Sequence, residues 1–243
     1  MTPVAPYSRY AEVDLLRGVA VAFMIIFHAA FDLVFFGGQQ LDLDSGILWA
    51  IGRSAAVLFI LLAGASMGLA WRRKHEGKKN PLLMRGIQIL GMGIALTAFT
   101  WIFFHEYTIW FGVLHLIGLG VIIGIAALSR PRLTFIAGTI ITGIGILLSF
   151  SAFSTLAPAI VPLVPVAFRT FDYFPLFPWM GIFLLGMSLG EHFFPSGRQR
   201  YRISINATHP LAQPLIWAGR NSLLLYFIHQ PILVGAIMLL RIA

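Results

Sequence analysis

The sequence predicts an all-α fold, a polytopic membrane protein built as a bundle of about seven transmembrane helices. Of its 243 residues, 58% are hydrophobic and only 11% are charged, whereas about a quarter of the residues in a soluble domain are charged. The mean hydropathy is +0.86. Apolar stretches close to the ~20 residues needed to cross a bilayer recur along the chain.

Seven such stretches follow one another. They predict helices at residues 15–36, 47–71, 82–104, 112–128, 133–153, 175–194 and 215–240. The first stretch contains Asp32 and lacks a clear small-residue cleavage site, so it is predicted to be a retained helix rather than a secretory signal. No repeat of useful period and no break in composition marks a second domain, so residues 1–243 are predicted to form a single one.

Basic residues are concentrated in alternate connections between these stretches. They are Arg72, Arg73, Lys74, Lys78, Lys79, Arg85, Arg130, Arg132, Arg198, Arg200 and Arg202. Short loops rich in lysine and arginine stay in the cytoplasm, so the N-terminus is predicted inside and the C-terminus outside a bacterial or archaeal plasma membrane. The same bias explains the net charge of +8 without a nucleic-acid partner.

The chain contains no cysteine. This excludes disulfides, thiolate metal sites and a cysteine nucleophile from any proposed chemistry.

The first helix carries three ionisable residues into an apolar stretch. Eleven positions at about 100° per residue return almost to the same azimuth, so Arg17 and His28 share one helical stripe, and Asp32 follows four residues later. Arg17 is expected near the cytoplasmic surface and His28 roughly 16 Å deeper. Ionisable residues are costly within a membrane, so this stripe is a candidate functional site.

Other predicted helices bring further polar groups to a similar depth. Arg53 enters the second helix from outside and is predicted to form a buried, structural ion pair with Asp32. His115 and His229 are expected in the outer half of the membrane, where they serve either in packing hydrogen bonds between helices or in the site itself. The remaining histidines, His75, His105, His192 and His209, fall near loops or helix ends and are expected to be solvated.

Several motifs resemble one known family. They are residues 14–18 (DLLRG) leading to His28, 58–66 (LFILLAGAS), 112–115 (GVLH), 177–181 (FPWMG) and 222–231 (SLLLYFIHQP). The pattern resembles the bacterial relatives of heparan-alpha-glucosaminide N-acetyltransferase and, more distantly, the transmembrane acyltransferases that modify glycans. The resemblance covers nearly the whole chain, and its most specific element is an arginine and a histidine with ten residues between them.

The resemblance implies a membrane acyltransferase that moves an acyl group, typically acetyl, from cytosolic acyl-CoA to a hydroxyl or amine of a sugar-like acceptor. It implies that Arg17 meets the CoA phosphates and that His28 acts as general base or transient acyl carrier, with Asp32 orienting the imidazole. Weaker candidates for CoA contacts are Ser66, Lys78, Lys79 and Arg85. No metal is implied, and a homo-oligomer could complete the acceptor site.

Two other functions remain open at this stage. Histidine, aspartate and arginine within a membrane also build proton relays, which would suit a proton-coupled transporter or flippase. Two of His28, His115 and His229 could instead be the axial ligands of a haem in an electron carrier.

Overall fold

The computed structural model describes residues 10–73, 80–128, 130–150, 169–195, 200 and 209–240. Within these ranges the chain forms eight α-helices and one short 3-10 helix, in agreement with the predicted all-α fold. The α-helices are α1 Ala11–Phe35, α2 Gly46–Arg73, α3 Asn80–Phe103, α4 Val113–Gly124, α5 Pro131–Phe150, α6 Leu176–Phe193, α7 Ala212–Arg220 and α8 Ser222–Leu239, and the 3-10 helix is His105–Tyr107.

In the described part of the chain, five helices are long and apolar enough to cross a membrane, namely α1, α2, α3, α5 and α8. The predicted number of about seven is not reproduced among the described residues. α4 has only 12 residues, because the backbone tightens into successive turns beyond Gly124. α6 carries a non-helical residue, Phe177, next to Pro178, which shortens its regular part relative to the predicted span.

The last predicted span, residues 215–240, is two helices rather than one. α7 ends at Arg220 and α8 begins at Ser222, with Asn221 between them at φ −107° and ψ 20°. The Asn221 side-chain amide donates a hydrogen bond to the Trp217 carbonyl at 2.9 Å, and the Asn221 backbone N–H donates to the same carbonyl at 3.1 Å, so Asn221 closes the end of α7. The apolar pattern continues through this turn, so the break could not be seen from hydropathy.

A turn built on Asp42 precedes α2. Its carboxylate accepts hydrogen bonds from the Ser45 hydroxyl and from the backbone N–H groups of Ser45, at 2.9 Å, and Asp44, at 3.0 Å. These bonds, led by the one from the Ser45 hydroxyl, hold the pKa of Asp42 below its usual value. Gly46, at φ 67°, then adopts the left-handed conformation from which α2 starts.

The chain divides into two compact units, and the single domain stays a prediction from the sequence. The first unit comprises Met1–Phe59 and Ile203–Ala243, and the second comprises Ile60–Arg202, so α2 contributes to both.

The first unit is built around α1, which packs against α7 and α8. Its apolar core is formed by Val21, Met24 and Ala55, with Phe59 and Leu225 packed against them. This core occupies the face of α1 that also carries the predicted polar stripe, because Val21 and Met24 follow Arg17 at helical spacing.

α1 and α7 approach each other closely through two glycines. A Cβ atom at Gly18 would lie 1.9 Å from the Leu215 carbonyl oxygen, and one at Gly219 would lie 1.8 Å from the Asp14 carbonyl oxygen. Only glycine allows two helix backbones to touch in this way, as in the small-residue contacts of membrane helices.

In the second unit, α6 is the central helix. α6 packs against α5 and α4, and α3 packs against α4. α6 also touches the 60–73 part of α2 backbone to backbone: a Cβ at Gly64 would lie 2.0 Å from the Phe183 carbonyl oxygen, and one at Gly186 would lie 2.0 Å from the Leu61 carbonyl oxygen. The packing of this unit therefore also depends on glycine at helix contacts.

Candidate active site

His28 and His229 form a hydrogen-bonded pair in the first unit. His28 lies on α1 and His229 on α8, and His28 Nδ1 is 3.1 Å from His229 Nε2. The two ring centroids are 4.8 Å apart at an interplanar angle of 45°. The structure thus brings together two of the four predicted catalytic residues, which are 201 positions apart in the chain.

The hydrogen bonds of His229 assign the protons of the neutral pair. Its Nδ1 lies 2.8 Å from the Tyr226 carbonyl oxygen and 3.1 Å from that of Leu225. A carbonyl oxygen only accepts, so Nδ1 of His229 carries a proton and, in the neutral ring, Nε2 is an acceptor. His28 must then donate through Nδ1, which leaves the lone pair on Nε2 of His28 free to act as a base.

Asp32 does not orient His28, in contrast to the prediction. The partner of its carboxylate is Gln230 on α8, whose side-chain nitrogen donates to Asp32 Oδ1 at 3.2 Å. Asp32 has no accessible surface. The i, i+4 spacing on α1 places Asp32 one turn from His28, but α8 supplies a closer partner for each: His229 for His28 and Gln230 for Asp32.

The predicted ion pair between Asp32 and Arg53 does not form either. Arg53 is exposed, and its guanidinium carbon lies 5.9 Å from the ring centroid of Trp49, one helical turn before it. A long arginine side chain near a helix end reaches toward the polar surface at low cost, whereas burial beside Asp32 would require desolvating both charges.

Arg17 belongs to a charged cluster whose acidic member, Asp14, is buried. Its guanidinium donates to Asp14 Oδ1 at 3.2 Å and to the Gly219 carbonyl at 3.4 Å. Arg220, at the end of α7, donates to the other carboxylate oxygen of Asp14 at 3.2 Å. The Asp14 side chain is 6% exposed, against 22% for Arg17 and 49% for Arg220, so the two cations lie on the outer side of the cluster and leave it a net positive charge.

His115 belongs to the second unit, where both of its ring nitrogens are engaged. The Gly112 N–H donates to Nδ1 at 3.2 Å. Nε2 lies 3.2 Å from the Thr97 hydroxyl, which itself donates to the Ile109 carbonyl at 2.5 Å and therefore accepts the proton of Nε2. The side chain thus secures the start of α4 against α3, which favours the packing interpretation of His115 over the catalytic one.

A second side chain caps the N-terminus of α4. Asp172 accepts a hydrogen bond from the Val113 N–H at 3.0 Å, one of the donors that a helix N-terminus leaves open. The adjoining segments pair through Phe111 and Tyr173, and the Phe174 N–H donates to the Phe111 carbonyl at 2.9 Å. The residues before α6 are therefore fixed to the start of α4.

The weaker candidates for donor contacts are placed as follows. The Ser66 hydroxyl donates to the Leu62 carbonyl at 2.6 Å within α2. Arg85 is exposed on α3. Lys78 and Lys79 lie outside the described residues. Among the histidines expected to be solvated, His105, His192 and His209 are exposed, and His75 also lies outside the described ranges.

Three residues of this site escaped sequence reasoning. Gln230 follows His229 directly and could have been noticed as a second polar group in the same apolar helix. Asp14 and Arg220 lie at predicted helix ends, where charge is ordinary, so their pairing with Arg17 gave no signal in the sequence.

In the described ranges no three histidine or acidic side chains are grouped as a metal ion would require. The nitrogens of His28 and His229 that face each other are joined by a hydrogen bond.

A comparison with family models matches residues 9–231 to heparan-alpha-glucosaminide N-acetyltransferase, catalytic. No significant match is found among curated proteins or solved structures. The matched range includes α1, which carries Arg17 and His28, and extends through His229 and Gln230 on α8. The matched range also contains helices that are long and apolar enough to cross a membrane. The chain therefore belongs to the heparan-alpha-glucosaminide N-acetyltransferase catalytic family, a family of membrane acetyltransferases.

Proposed function

We propose that the protein transfers an acetyl group from cytosolic acetyl-CoA to an amine or hydroxyl of a sugar-like acceptor, with His28 as the general base. The observation that carries this proposal is the hydrogen bond between His28 and His229. It fixes one tautomer of His28, with the proton on Nδ1 and the basic lone pair on Nε2.

The reaction uses that lone pair. As the acceptor nitrogen or oxygen attacks the thioester carbonyl, Nε2 of His28 takes the proton that the acceptor loses. The new bond to the acetyl carbon forms while the carbon–sulfur bond breaks, and the CoA thiolate leaves and is protonated by the imidazolium. The same nitrogen would attack the thioester if His28 were instead a transient acyl carrier.

His229 stabilises the charged intermediate. When His28 is protonated, its Nδ1–H still donates to the neutral Nε2 of His229, and the proton on His229 Nδ1 stays bonded to the carbonyls of Leu225 and Tyr226. A charge-assisted hydrogen bond is stronger than the neutral bond it replaces, so this bond offsets part of the cost of a charged imidazole in a buried site. His229 is thus the positioning residue, in the role that the sequence analysis gives to Asp32.

The charged cluster of Arg17, Asp14 and Arg220 provides the donor end. Two guanidiniums and one carboxylate leave one net positive charge, and guanidinium binds phosphate oxygens in a bidentate geometry. His28 lies eleven positions after Arg17 on α1, a rise of about 16 Å. This distance is comparable to an extended pantetheine arm, so CoA phosphates held by Arg17 and Arg220 would let the thioester reach His28.

The test uses the whole protein in lipid nanodiscs, [14C]acetyl-CoA as donor and glucosamine as the acceptor probe. Wild type is expected to release label as acetylglucosamine or, without acceptor, as acetate, and His28→Ala is expected to abolish both. His105→Ala is the matched control, because His105 is exposed outside the site. Equal turnover by wild type and His28→Ala would contradict the proposal, as would pH-driven solute flux that needs no CoA.

A further inference from the structure

Two buried oxygen atoms of one hydrogen-bonded pair have no partner. Asp32 Oδ1 accepts from the Gln230 side-chain nitrogen, whereas Asp32 Oδ2 and Gln230 Oε1 have no hydrogen-bond partner among the residues that the structure describes. Both atoms are acceptors whenever the carboxyl is ionised. A buried acceptor without a donor costs free energy comparable to a lost hydrogen bond, and such atoms are rare in folded proteins.

The charge of Asp32 is also without compensation. The carboxyl group is 0% exposed on a helix that is long and apolar enough to span a membrane. Within the described ranges Asp32 forms no ion pair. His28, one turn before it on α1, and His229 on α8 bond to each other, and Arg53 on α2 is exposed over Trp49. Arg17 on α1 and Arg220 on α7 pair with Asp14, and Tyr226 on α8 is a neutral phenol that supplies no positive charge. An isolated buried carboxylate costs several kcal/mol of desolvation.

One proton on the Asp32 carboxyl would give both oxygen atoms a partner and would remove the buried charge. We propose that Asp32 carries a proton and forms a two-bond carboxyl–amide pair with Gln230, in which Oδ2–H donates to Gln230 Oε1 while the Gln230 amide donates to Oδ1. A carboxylic acid and a primary amide are complementary, since each offers one donor and one acceptor on the same side. The pair then leaves no unsatisfied atom and no net charge in the apolar layer.

This assignment makes Asp32 and Gln230 positioning residues for the histidines. Asp32 lies four residues after His28, and Gln230 directly follows His229, so α1 and α8 are joined by two neighbouring polar contacts. Interhelical hydrogen bonds of this kind fix the rotation of membrane helices. The rotation of α8 decides whether His229 Nε2 faces His28. The effect of the Asp32–Gln230 pair on catalysis rests on the proposed function, whereas the protonation of Asp32 is independent of it.

Difference infrared spectroscopy of the full-length protein in nanodiscs tests the assignment directly. Wild type is expected to show the carbonyl stretch of a protonated carboxyl at neutral pH, which shifts on 13C labelling of aspartate carboxyls and disappears in Asp32→Asn. Asp14→Asn is the matched control: Asp14 is also buried but pairs with Arg17 and Arg220, so this variant is expected to keep the band. A wild-type spectrum without a 13C-sensitive carboxyl band would overturn the proposal.

Thermal unfolding gives a second readout that does not need enzyme activity. Asn at position 32 can form the same two bonds with Gln230, so Asp32→Asn is expected to unfold near the wild-type midpoint, whereas Gln230→Leu is expected to unfold at a lower one. A wild-type band together with no acetyl transfer would sink the proposed function and leave the protonated pair standing. If Asp32→Asn lost as much stability as Gln230→Leu, the two-bond pair would be refuted whatever the activity.

Discussion

The proton position on His28 depends on two neighbours, the imidazole of His229 and the backbone of Met24. The backbone carbonyls of Leu225 and Tyr226 fix the proton on His229, and His229 in turn fixes the proton on His28. This chain of hydrogen bonds ends on the backbone of α8. The orientation of the base is therefore set without a charged side chain, which suits an apolar environment where an unpaired charge is costly.

Replacing His229 tests this dependence. His229→Leu removes the acceptor for His28 Nδ1–H, so the kcat for acetyl transfer is expected to fall about 10²-fold or more. His229→Gln keeps a side-chain oxygen that can accept this proton and is expected to recover part of the loss. Steady-state kinetics with [14C]acetyl-CoA measure both variants, with His192→Leu as a control at an exposed position. An unchanged kcat in His229→Leu would show that the pair has no part in the reaction.

The polar residues of the site could be listed from the sequence, but their partners could not. Helical spacing placed Arg17, His28 and Asp32 on one face of α1, and their burial costs marked them as functional candidates. The choice between Arg53 and Gln230 as partner of Asp32 depends on the rotation of α8 against α1. That rotation follows from packing of Val21, Met24 and Leu225 in the core, which hydropathy alone does not contain.

At the level of elements, the contact between α1 and α7 holds the donor end of the site together. Gly18 and Gly219 let the two backbones touch, and the same contact carries Asp14 between Arg17 and Arg220. The apolar stretches predicted most helix bounds to within a few residues, because hydropathy is a local property. The break at Asn221 was missed because it depends on a side-chain hydrogen bond within an apolar stretch.

The close contact between α1 and α7 yields a stability prediction. In Gly18→Ala and Gly219→Ala the added methyl group would overlap a carbonyl of the facing helix, so each is expected to lower the free energy of unfolding by about 1–3 kcal/mol or more. Gly235→Ala is the control, since a Cβ there meets nothing within 4 Å. Thermal unfolding in detergent measures all three variants. Equal midpoints for Gly18→Ala and Gly235→Ala would argue against the backbone contact.

For the whole molecule, the arrangement across the membrane follows from the number of helices that cross it. Among the described residues five helices meet the requirements for a span, and α4 and α6 are the remaining elements of the predicted seven. Counted over these described helices, the number of crossings is odd whether both α4 and α6 cross or neither does. We expect the N-terminus in the cytoplasm, because basic residues are concentrated in the connections predicted on that side.

Fusions to the C-terminus test this expectation. An odd number of crossings places the C-terminus outside, so fused alkaline phosphatase is expected to be active and fused green fluorescent protein to be dark in bacterial cells. A fluorescent C-terminal fusion would contradict the odd count and would require that only one of α4 and α6 crosses. It would also require a new account of which face of the membrane Arg17 meets.

The anchoring of His229 on the backbone of its own helix has an evolutionary consequence. Among the described residues, α1 and α8 supply the groups that align the imidazole of His28, and one of these groups is main chain, which no substitution removes. Mutations elsewhere along the chain can accumulate and diversify what the protein acts on while this small inherited unit stays intact.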